Sequence, residues 1–462
     1  MKRLALLFLL PALALAIYDT KWFDLNHWKA PFYNDGRWGI DVTGGPGAAG
    51  GTWPQPLHNC YVYCAGPWFG AILPSPSPET LCTTMYAPST GGTEMFPTLC
   101  RYWHEGTDNF RDRIYKYPGD WPPSHSRFPM APLWQLSDMD MWCCFCDSDP
   151  SNHDSLGRPL GVDVYQTAYG FSDSLAQDFF FLRYEIANCS GDSIRQAYFG
   201  MLLDPDIGSA TDDMTGLILD HLYQIGPDTI RVGNTGFACD YDNHEIAGST
   251  WESGTPGAVA VMLLSSPESL GLTAFKKLTI DVDPVTDVAQ YLTLAGYDYR
   301  TGVYSPYDSI DLAPADKRML LATGPFDLAP DDVLTFWYAV IGSPFGDAGQ
   351  FPSQRDTSEL ALRCKWALEY WQRLFPGIAE EMPSAGVRKA SVPTIVRGVL
   401  VLGAVGSRQQ TVDRTELLDA AGRKVAELHS GANDVSRLSP GVYFIREAQA
   451  QAQATRKVVI TR

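Results

Sequence analysis

The stretch of sequence that decides the fold is DFFFLRYEIANCSGDSIRQAYFGMLLD, residues 178–204. It contains two strand-length runs, 178–190 and 193–204, which are rich in Phe, Tyr, Ile and Leu. Aromatic and β-branched residues favour strands, because their side chains pack well on a pleated surface. A Ser-Gly-Asp turn at 190–192 separates the two runs. The stretch therefore predicts two antiparallel strands joined as a β-hairpin.

Runs of the same kind recur later in the chain. They lie between Gly, Pro and Asp residues and read LILDHLYQIG (217–226), GAVAVMLLSSP (257–267), KKLTIDV (276–282), RMLLATG (318–324) and VLTFWYAVIG (333–342). This rhythm is typical of a β-sandwich or a large antiparallel sheet, and the sequence shows no β-α-β alternation. We therefore expect a mainly β fold, with an antiparallel β-sandwich body over residues 159–376.

One segment departs from this pattern and predicts a helix near residues 357–375. It begins with an Asp-Thr-Ser capping set, spaces its apolar residues in a broadly helical stripe and ends before Pro376 and Gly377. The passage that follows, 377–392, is rich in small and polar residues and is predicted to be a linker. A last domain, residues 393–462, would then follow the body.

The chain begins with the features of a secretory signal peptide, residues 1–16. Two basic residues precede an apolar run at 4–10, and Ala14 and Ala16 have the spacing of a cleavage site. No later stretch approaches the roughly 20 uninterrupted apolar residues that a membrane span needs. We therefore expect a secreted or cell-surface protein that does not span the membrane.

Cysteine usage agrees with export. Disulfides persist in oxidising compartments, so ten cysteines in an exported chain predict disulfide bonds. Seven of the ten precede residue 147, which makes the Cys-, Trp- and Pro-rich region 17–158 the disulfide-prone, loop-rich part of the chain. Cys143 and Cys146 form a C-x-x-C pair, a spacing that redox dithiols and zinc sites also use. We favour a structural disulfide role for these cysteines.

The charge balance excludes one class of partner. Lys and Arg number 35 against 53 Asp and Glu, which gives a formal net charge of −18. A chain with this balance repels nucleic acid and anionic lipid, whereas its carboxylates can hold cations. We therefore expect no nucleic-acid partner.

Four motifs follow one another at the C-terminus: PTIVRGVLVLG (393–403), TELLDAAGRKVAEL (415–428), NDVSRLSPGVYFIRE (433–447) and TRKVVITR (455–462). In order, spacing and position they resemble the C-terminal sorting domain of proteins exported by the type IX secretion system. The residues that carry the resemblance are Asp419, Gly422, Arg423, Pro440, Gly441, Tyr443 and Lys457.

The resemblance implies a small immunoglobulin-like β-sandwich that the export machinery recognises and often removes. It makes the type IX secretion machinery a partner and the outer cell surface or the medium the destination. The alternative is an ordinary adhesive sandwich module with no sorting role. The body resembles, loosely, uncharacterised secreted proteins that carry the same tail, and this likeness implies no activity.

Acidic residues after the second predicted strand give the clearest signal for chemistry. Asp204, Asp206, Asp212 and Asp213 place four carboxylates within ten residues. Because Ca²⁺ takes six to eight oxygen ligands from a bent loop, we expect a Ca²⁺ site around Asp204, Asp206 and Asp213. The alternative is a solvated acidic turn. A second acidic cluster, residues 147–154, lacks the Gly and Glu positions of an EF-hand loop.

Signals for catalysis are weak. Residues 191–193, Gly-Asp-Ser, lie in the predicted turn, and no G-x-S-x-G nucleophile elbow occurs. We therefore expect a non-catalytic protein for binding or surface structure, with a surface glycan or another surface protein as its partner. The alternative is a carbohydrate-active hydrolase, because tryptophans are dense in the first third of the chain and any of the 53 Asp and Glu residues could supply the paired acids. An open cleft with two carboxyl groups about 5–10 Å apart would favour the hydrolase.

Overall fold

The computed structural model describes residues 18–40, 50–74, 77–105, 111–153, 157–248, 250–346, 351–375, 395–397, 399–402, 415–418, 423–429, 431–435, 437–439, 441–449 and 452–461. The structure is 44% strand and 12% helix, which confirms the predicted mainly β class. The chain divides into two compact units near residue 380, and each is described by itself. The predicted signal peptide (1–16) and linker (377–392) lie outside the described residues.

The first unit contains nineteen described strands and two α-helices. In chain order the strands are β1 (Thr20–Phe23), β2 (Ala30–Tyr33), β3 (Gly51–Thr52), β4 (Cys60–Val62), β5 (Cys64–Leu73), β6 (Glu79–Thr84), β7 (Tyr115–Tyr117), β8 (Met139–Cys146), β9 (Val162–Gly170), β10 (Phe179–Asn188), β11 (Ile194–Asp204), β12 (Asp213–Ile225), β13 (Asp228–Asp240), β14 (Ala258–Ser265), β15 (Ala274–Thr279), β16 (Tyr297–Asp298), β17 (Val303–Tyr304), β18 (Lys317–Leu328) and β19 (Val333–Ser343).

The α-helices are α1 (Asp287–Leu294) and α2 (Ser358–Leu374). Short 3₁₀ helices occur at Trp103–Glu105, Pro150–Asn152, Ala210–Asp212, Pro267–Ser269, Ile280–Val282 and Pro352–Gln354. No helix in the described part of the chain has the length and apolar character needed to cross a membrane.

Two antiparallel sheets form the β-sandwich body. The larger has eight strands in the order β12-β13-β14-β19-β10-β9-β8-β7, and the smaller has five in the order β15-β18-β11-β5-β6. Strands β5 to β8 come from the loop-rich N-terminal region, and they extend both sheets of the body. Three two-stranded pairs, β1-β2, β3-β4 and β16-β17, complete the unit.

Strand β10 shows why the quoted stretch decides this architecture. Side chains alternate between the two faces of a strand. Phe180, Leu182 and Tyr184 belong to the main core, whereas Phe179 and Phe181 belong to the core on the other face. Both faces of β10 are therefore buried, which explains its nearly continuous apolar sequence. The Phe180 ring also gathers four aromatic rings of the N-terminal region at centroid distances of 4.9–6.1 Å, those of Phe23, Trp28, Phe32 and Trp38.

The predicted hairpin between β10 and β11 is wrong. Strand β10 pairs with β9 and β19, whereas β11 pairs with β5 and β18 in the other sheet. The turn at 190–192 therefore turns a corner between the sheets. Asn188 holds this corner, since its side-chain amide donates to the carbonyls of Asp192 at 2.8 Å and Ala329 at 3.1 Å. Both runs have a face to bury, and placing them in opposite sheets buries these faces against each other.

The predicted helix near 357–375 is confirmed as α2, which packs on the outer face of the eight-stranded sheet. Helix α1 was not predicted. It covers the outer face of the five-stranded sheet at two glycines, Gly70 and Gly200. A Cβ atom at these positions would lie 2.9 Å and 2.6 Å from the Leu294 side chain. The glycines therefore leave the groove into which this short helix fits.

The second unit contains seven described strands. They are β20 (Ile395–Arg397), β21 (Val399–Leu402), β22 (Thr415–Leu418), β23 (Lys424–Leu428), β24 (Gly431–Asp434), β25 (Gly441–Gln449) and β26 (Ala452–Thr461). Five form a sheet in the order β20-β26-β25-β22-β23, and β21 pairs with β24. Tyr443 of the predicted sorting motif is buried, and its hydroxyl donates to the Ser439 carbonyl at 2.7 Å. Asp419, Gly422 and Pro440 lie outside the described residues.

We predict that Trp371→Ala lowers the free energy of unfolding by about 3–5 kcal/mol, as is typical for a large aromatic lost from a core. Trp371 of α2 is fully buried, and its ring lies 6.1 Å from that of Trp337. Trp134→Ala is the matched control, because Trp134 is 72% exposed. Denaturant unfolding measures both variants. Equal losses would contradict the docking of α2 on the sheet.

Candidate metal centre

The predicted metal ligands lie where the chain passes from one sheet to the other. Asp204 is the last residue of β11 in the five-stranded sheet, and Asp213 is the first residue of β12 in the eight-stranded sheet. We call residues 204–213 the crossover loop. Two backbone bonds fix it against the N-terminal strands: Tyr63 N–H donates to the Asp204 carbonyl at 2.9 Å, and Gly208 N–H donates to the Cys60 carbonyl at 3.2 Å.

Asp204 is buried, with 1% of its surface exposed. The Tyr86 hydroxyl donates to its Oδ2 at 2.6 Å. Its Oδ1 lies 3.3 Å from Arg318 Nε, which is close enough for an ion pair but lacks hydrogen-bond geometry. Burial raises the pKa of Asp204 from 3.8 to about 7, although the charge of Arg318 opposes this rise. Asp204 is thus a carboxyl group with one oxygen left for a further partner.

Asp206 and Asp316 complete the first group of carboxylates. One oxygen from each of Asp204, Asp206 and Asp316 lies within 4.8 Å of the others. Asp316 immediately precedes β18, the strand that also carries Arg318. Burial, followed by the charge of Asp204, raises the pKa of Asp206 to about 8. We call Asp204, Asp206 and Asp316 the first carboxylate group.

One arginine faces this group. Arg318 Nη1 lies 3.0 Å from Asp316 Oδ1, and Arg318 Nε lies 3.8 Å from Asp283 Oδ2. Burial raises the pKa of Asp283 to about 6, and neither of its carboxylate oxygens has a hydrogen-bond partner among the described residues. Four carboxyl groups therefore share one guanidinium. When all are ionised, this arrangement leaves excess negative charge in a region of low dielectric constant.

Asp213 is placed differently from the prediction. It is fully buried, and the first carboxylate group contains Asp316 in its place. Ile207 N–H donates to its Oδ2 at 3.4 Å, whereas its Oδ1 has no partner within the described structure. Burial raises the pKa of Asp213 well above its usual range, and the nearby charges of Asp206 and Asp240 raise it further. The structure thus brings Asp204 and Asp206 together and leaves Asp213 beside them.

The first carboxylate group suits a hard divalent cation. Its ligand atoms are carboxylate oxygens, which Ca²⁺ and Mg²⁺ prefer over softer metals. Ca²⁺ tolerates irregular geometry, whereas Mg²⁺ demands a near-ideal octahedron, so a bent loop favours Ca²⁺. Asp204 and Asp206 were predicted from their spacing. Asp316 and Asp283 were not predicted. They are distant from the loop in sequence and come close to it only through the folding of the strands.

The acidic cluster at 147–154 has a different role. Asp147 is fully buried and accepts backbone N–H groups from Leu160 at 2.6 Å and from Val162 at 2.9 Å. Asp149 caps the 3₁₀ helix that follows, since it accepts the Ser151 N–H at 2.9 Å. These carboxylates are used in anchoring the backbone. Asp154 lies outside the described residues.

The C-x-x-C pair does not form a joint site. Cys143 and Cys146 lie three residues apart on β8, so their side chains point to opposite faces of the sheet. All ten cysteines are thiols in the structure. The Cys100 thiol lies 2.7 Å from the Cys189 thiol and also contacts the Cys146 thiol. The disulfide bonds expected for an exported chain remain a prediction, and Cys100 with one of these two neighbours is the strongest candidate pair.

The tryptophans of the first third serve mainly in the core. Trp28, Trp38, Trp68 and Trp142 are almost fully buried, and Trp53 is 6% exposed. A sugar-stacking platform needs exposed aromatic faces, so these residues cannot supply one without unfolding. Their density in the sequence reflects the aromatic core around β10 and its neighbours.

Two of the cavities in the described structure bear on the hydrolase alternative. One, of about 260 Å³, is lined by residues such as Asn26, His27 and Gln55, and no acid is among its lining residues. The other, of about 440 Å³, contains Asp298 and Asp308, each in an ion pair. Asp308 lies 3.0 Å from Lys276, and Asp298 lies 3.4 Å from Arg300. Neither cavity presents the pair of free carboxyl groups that glycoside hydrolysis uses.

Comparison with known proteins adds no assignment. No protein-family model matches the chain, and no curated protein is significantly similar to it.

We predict that, in the presence of a chelator, the protein becomes less stable as the pH rises from 5 to 8. The raised pKa values of Asp204 (about 7) and Asp206 (about 8) mean that the folded state binds protons that the unfolded state has already lost. The stabilisation from these protons is complete below about pH 4 and is lost as the pH rises through 7 to 8.

Denaturant unfolding across this pH range measures the effect. Asp206→Asn should reduce the loss of stability, by about 1.4 kcal/mol for each pKa unit that it removes. Asp192→Asn, at an exposed turn, is the control and should follow the wild type. A stability that stays constant or rises between pH 5 and 8 would contradict the placement of these carboxyl groups.

Proposed function

We propose that this chain is an exported surface protein whose β-sandwich body binds Ca²⁺ at the crossover loop and serves in binding or surface structure. The observation that carries the proposal is the first carboxylate group. It concentrates Asp204, Asp206 and Asp316 at the end of the sandwich, where Arg318 faces them and Asp283 adds further negative charge. Ca²⁺ would supply the positive charge that this region lacks, with water or loop carbonyls completing its coordination.

A structural role for Ca²⁺ follows from the position of the loop. The crossover loop connects the two sheets. Repulsion between its carboxylates therefore strains the link between β11 and β12. A bound cation would turn the repulsion into attraction and lock β11 and β12 in their places. In an extracellular setting, where Ca²⁺ is abundant and affinities of about 10⁻⁴–10⁻³ M suffice, such a site makes folding dependent on the export destination.

The non-catalytic role is favoured over the carbohydrate-active hydrolase by the site itself. One oxygen from each of Asp204, Asp206 and Asp316 lies within 4.8 Å of the others, so the three carboxyl groups gather around one point, whereas those of a glycosidase flank the bond to be cleaved. Asp204 and Asp213 are buried, so a sugar has no access to them. The partner that we propose for the body is a surface glycan or another surface protein.

Export by the type IX system is proposed from the C-terminal motifs. Their order and spacing support it, as do the apolar run and the Ala-x-Ala site in the predicted signal peptide. The second unit, with its paired strands β22 to β26, is of the size and class that the resemblance implies. The type IX machinery is thus the proposed partner of this unit, and the cell surface or the medium is its proposed destination.

We predict that millimolar Ca²⁺ raises the melting temperature of the purified protein above its value in chelator. Binding to the folded state alone contributes RT ln(1 + [L]/Kd), about 2.7 kcal/mol at a hundredfold excess over Kd. Asp206→Asn should remove most of the shift, because it takes one ligand from the first carboxylate group. Differential scanning calorimetry makes the comparison.

Two controls isolate the calcium effect. A monovalent salt at matched ionic strength measures general screening of the acidic surface. Asp192→Asn changes an exposed aspartate at the opposite end of β11 and should keep the full calcium shift. If calcium raises the melting temperature of the wild type no more than monovalent salt does, the calcium site is refuted and the loop is an ordinary solvated acidic turn.

We predict that deletion of residues 393–462 leaves the protein in the periplasm of a producing cell that has a type IX system. The physical reason is that the machinery would lose the domain that it recognises. Cell fractionation with surface proteolysis measures delivery. Fusion of residues 393–462 to a periplasmic reporter is the reciprocal test and should carry the reporter to the surface. Unchanged delivery of the truncated chain would refute the sorting role.

A further inference from the structure

A second group of carboxylates lies beside Asp213 at the end of β13. Asp240 is the last residue of β13 and stands directly opposite Asp213 in the register of β12 and β13. Asp212 ends the 3₁₀ helix of the crossover loop, and Glu245 lies in the segment after β13. One carboxylate oxygen from each of Asp212, Asp240 and Glu245 lies within 4.8 Å of the others. We call these three residues the second carboxylate group.

The environment of Asp240 favours a bound cation at the second carboxylate group. The residue is completely buried, and neither of its carboxylate oxygens has a hydrogen-bond partner in the part of the chain that the structure describes. Like charges placed directly opposite each other on paired strands are destabilising, and Asp213 and Asp240 are such a pair. A buried carboxylate is costly unless it is paired, hydrogen-bonded or bound to a metal.

The charged residues described around Asp240 do not relieve this cost. Burial raises the pKa of Asp240 to about 7, the nearby charges of Asp212, Asp242 and Glu245 raise it further, and the backbone N–H of Asn243 opposes the rise. Arg355 approaches the segment after β13, where its guanidinium donates to Asn243 Oδ1 at 3.0 Å and to the Tyr241 carbonyl. These bonds fix the backbone between Asp240 and Glu245.

The crossover loop is shaped to receive Glu245. Ser209 N–H donates to Glu245 Oε1 at 2.8 Å. Gly208 has a φ of +71°, and a Cβ atom at this position would lie 2.2 Å from Glu245 Cδ and 2.5 Å from Oε2. Glycine is therefore needed here for both its left-handed backbone and its lack of a side chain. The close approach brings the carboxylate of Glu245 against those of Asp212 and Asp240.

We propose that Asp212, Asp240 and Glu245 bind a second divalent cation of the calcium type, next to the cation of the first carboxylate group. The ligand set is made of carboxylate oxygens, which selects a hard cation. Asp212 and Glu245 are partly exposed, so water can complete the coordination shell. The two sites share no ligand in their carboxylate groups, so each can be lost without the other. Buried Asp213 interacts electrostatically with Asp206 and with Asp240, and it links the two sites.

Native mass spectrometry of the full chain in Ca²⁺ counts the bound ions directly. The wild type should bind two ions. Glu245→Gln should bind one, with at least a tenfold loss of calcium affinity for the second ion in calorimetric titration. Asp206→Asn should also bind one, and the double variant none. Gly208→Ala keeps every carboxylate but displaces Glu245, so it should weaken the same ion that Glu245→Gln removes.

Asp242→Asn is the matched control, since Asp242 is an exposed acid of the same segment outside the second carboxylate group, and it should bind two ions. Melting in chelator separates ligand loss from misfolding: Glu245→Gln should melt no lower than the wild type, because it removes repulsion. If the wild type binds a single ion that is lost in Asp206→Asn and kept in Glu245→Gln, the second site is overturned alone. If that single ion is lost in Glu245→Gln and kept in Asp206→Asn, the first site is overturned alone. A wild type that binds no ion would overturn both sites.

Discussion

The structure depends on keeping buried carboxyl groups together where the chain crosses from one sheet to the other. Asp204 ends β11, Asp213 begins β12, and both are almost completely buried. Ionised carboxylates in such a position cost several kcal/mol each unless they are compensated. Arg318 compensates part of the charge, through Asp204 and Asp316. The remaining negative charge calls for protons at low pH or for cations at neutral pH, and the proposed export would bring the protein into contact with calcium.

The β-sandwich explains how these acids meet. Strand β18 lies beside β11 and brings Asp316 and Arg318 to the crossover loop, while β13 lies beside β12 and brings Asp240. The two helices cover the outer faces of the sheets and leave the ends of the sandwich to the loops. The proposed binding or structural role therefore belongs to a rigid body with a cation-dependent end. The proposed sorting tail forms a compact unit of its own, and its proposed task is delivery.

Local patterns in the sequence predicted local structure well. The runs at 178–190 and 193–204 became β10 and β11, and the capped apolar stripe became α2. The partnership of β10 and β11 was not predictable, because a short turn serves a hairpin and a corner between sheets equally well. Helix α1 was missed because it has only eight residues and depends on a groove made by glycines in distant strands.

In the candidate site, too, local sequence patterns predicted some residues, and residues that depend on the tertiary structure were missed. Asp204 and Asp206 could be chosen from their spacing, whereas Asp316, Asp240 and Glu245 reach the site through strand pairing and loop packing. A single sequence carries no record of those contacts. The C-x-x-C pair illustrates the converse, since its spacing suggests a site and the period of a β-strand separates the two thiols.

Crystallography with anomalous scattering from calcium tests the central claim most directly. Crystals grown in Ca²⁺ at neutral pH should show an anomalous peak about 2.3–2.6 Å from carboxylate oxygens of Asp204, Asp206 and Asp316. The same crystals soaked in chelator should lose it. An ordered crossover loop without a peak, in which Arg318 and shared protons alone hold the three carboxyl groups together, would contradict the account.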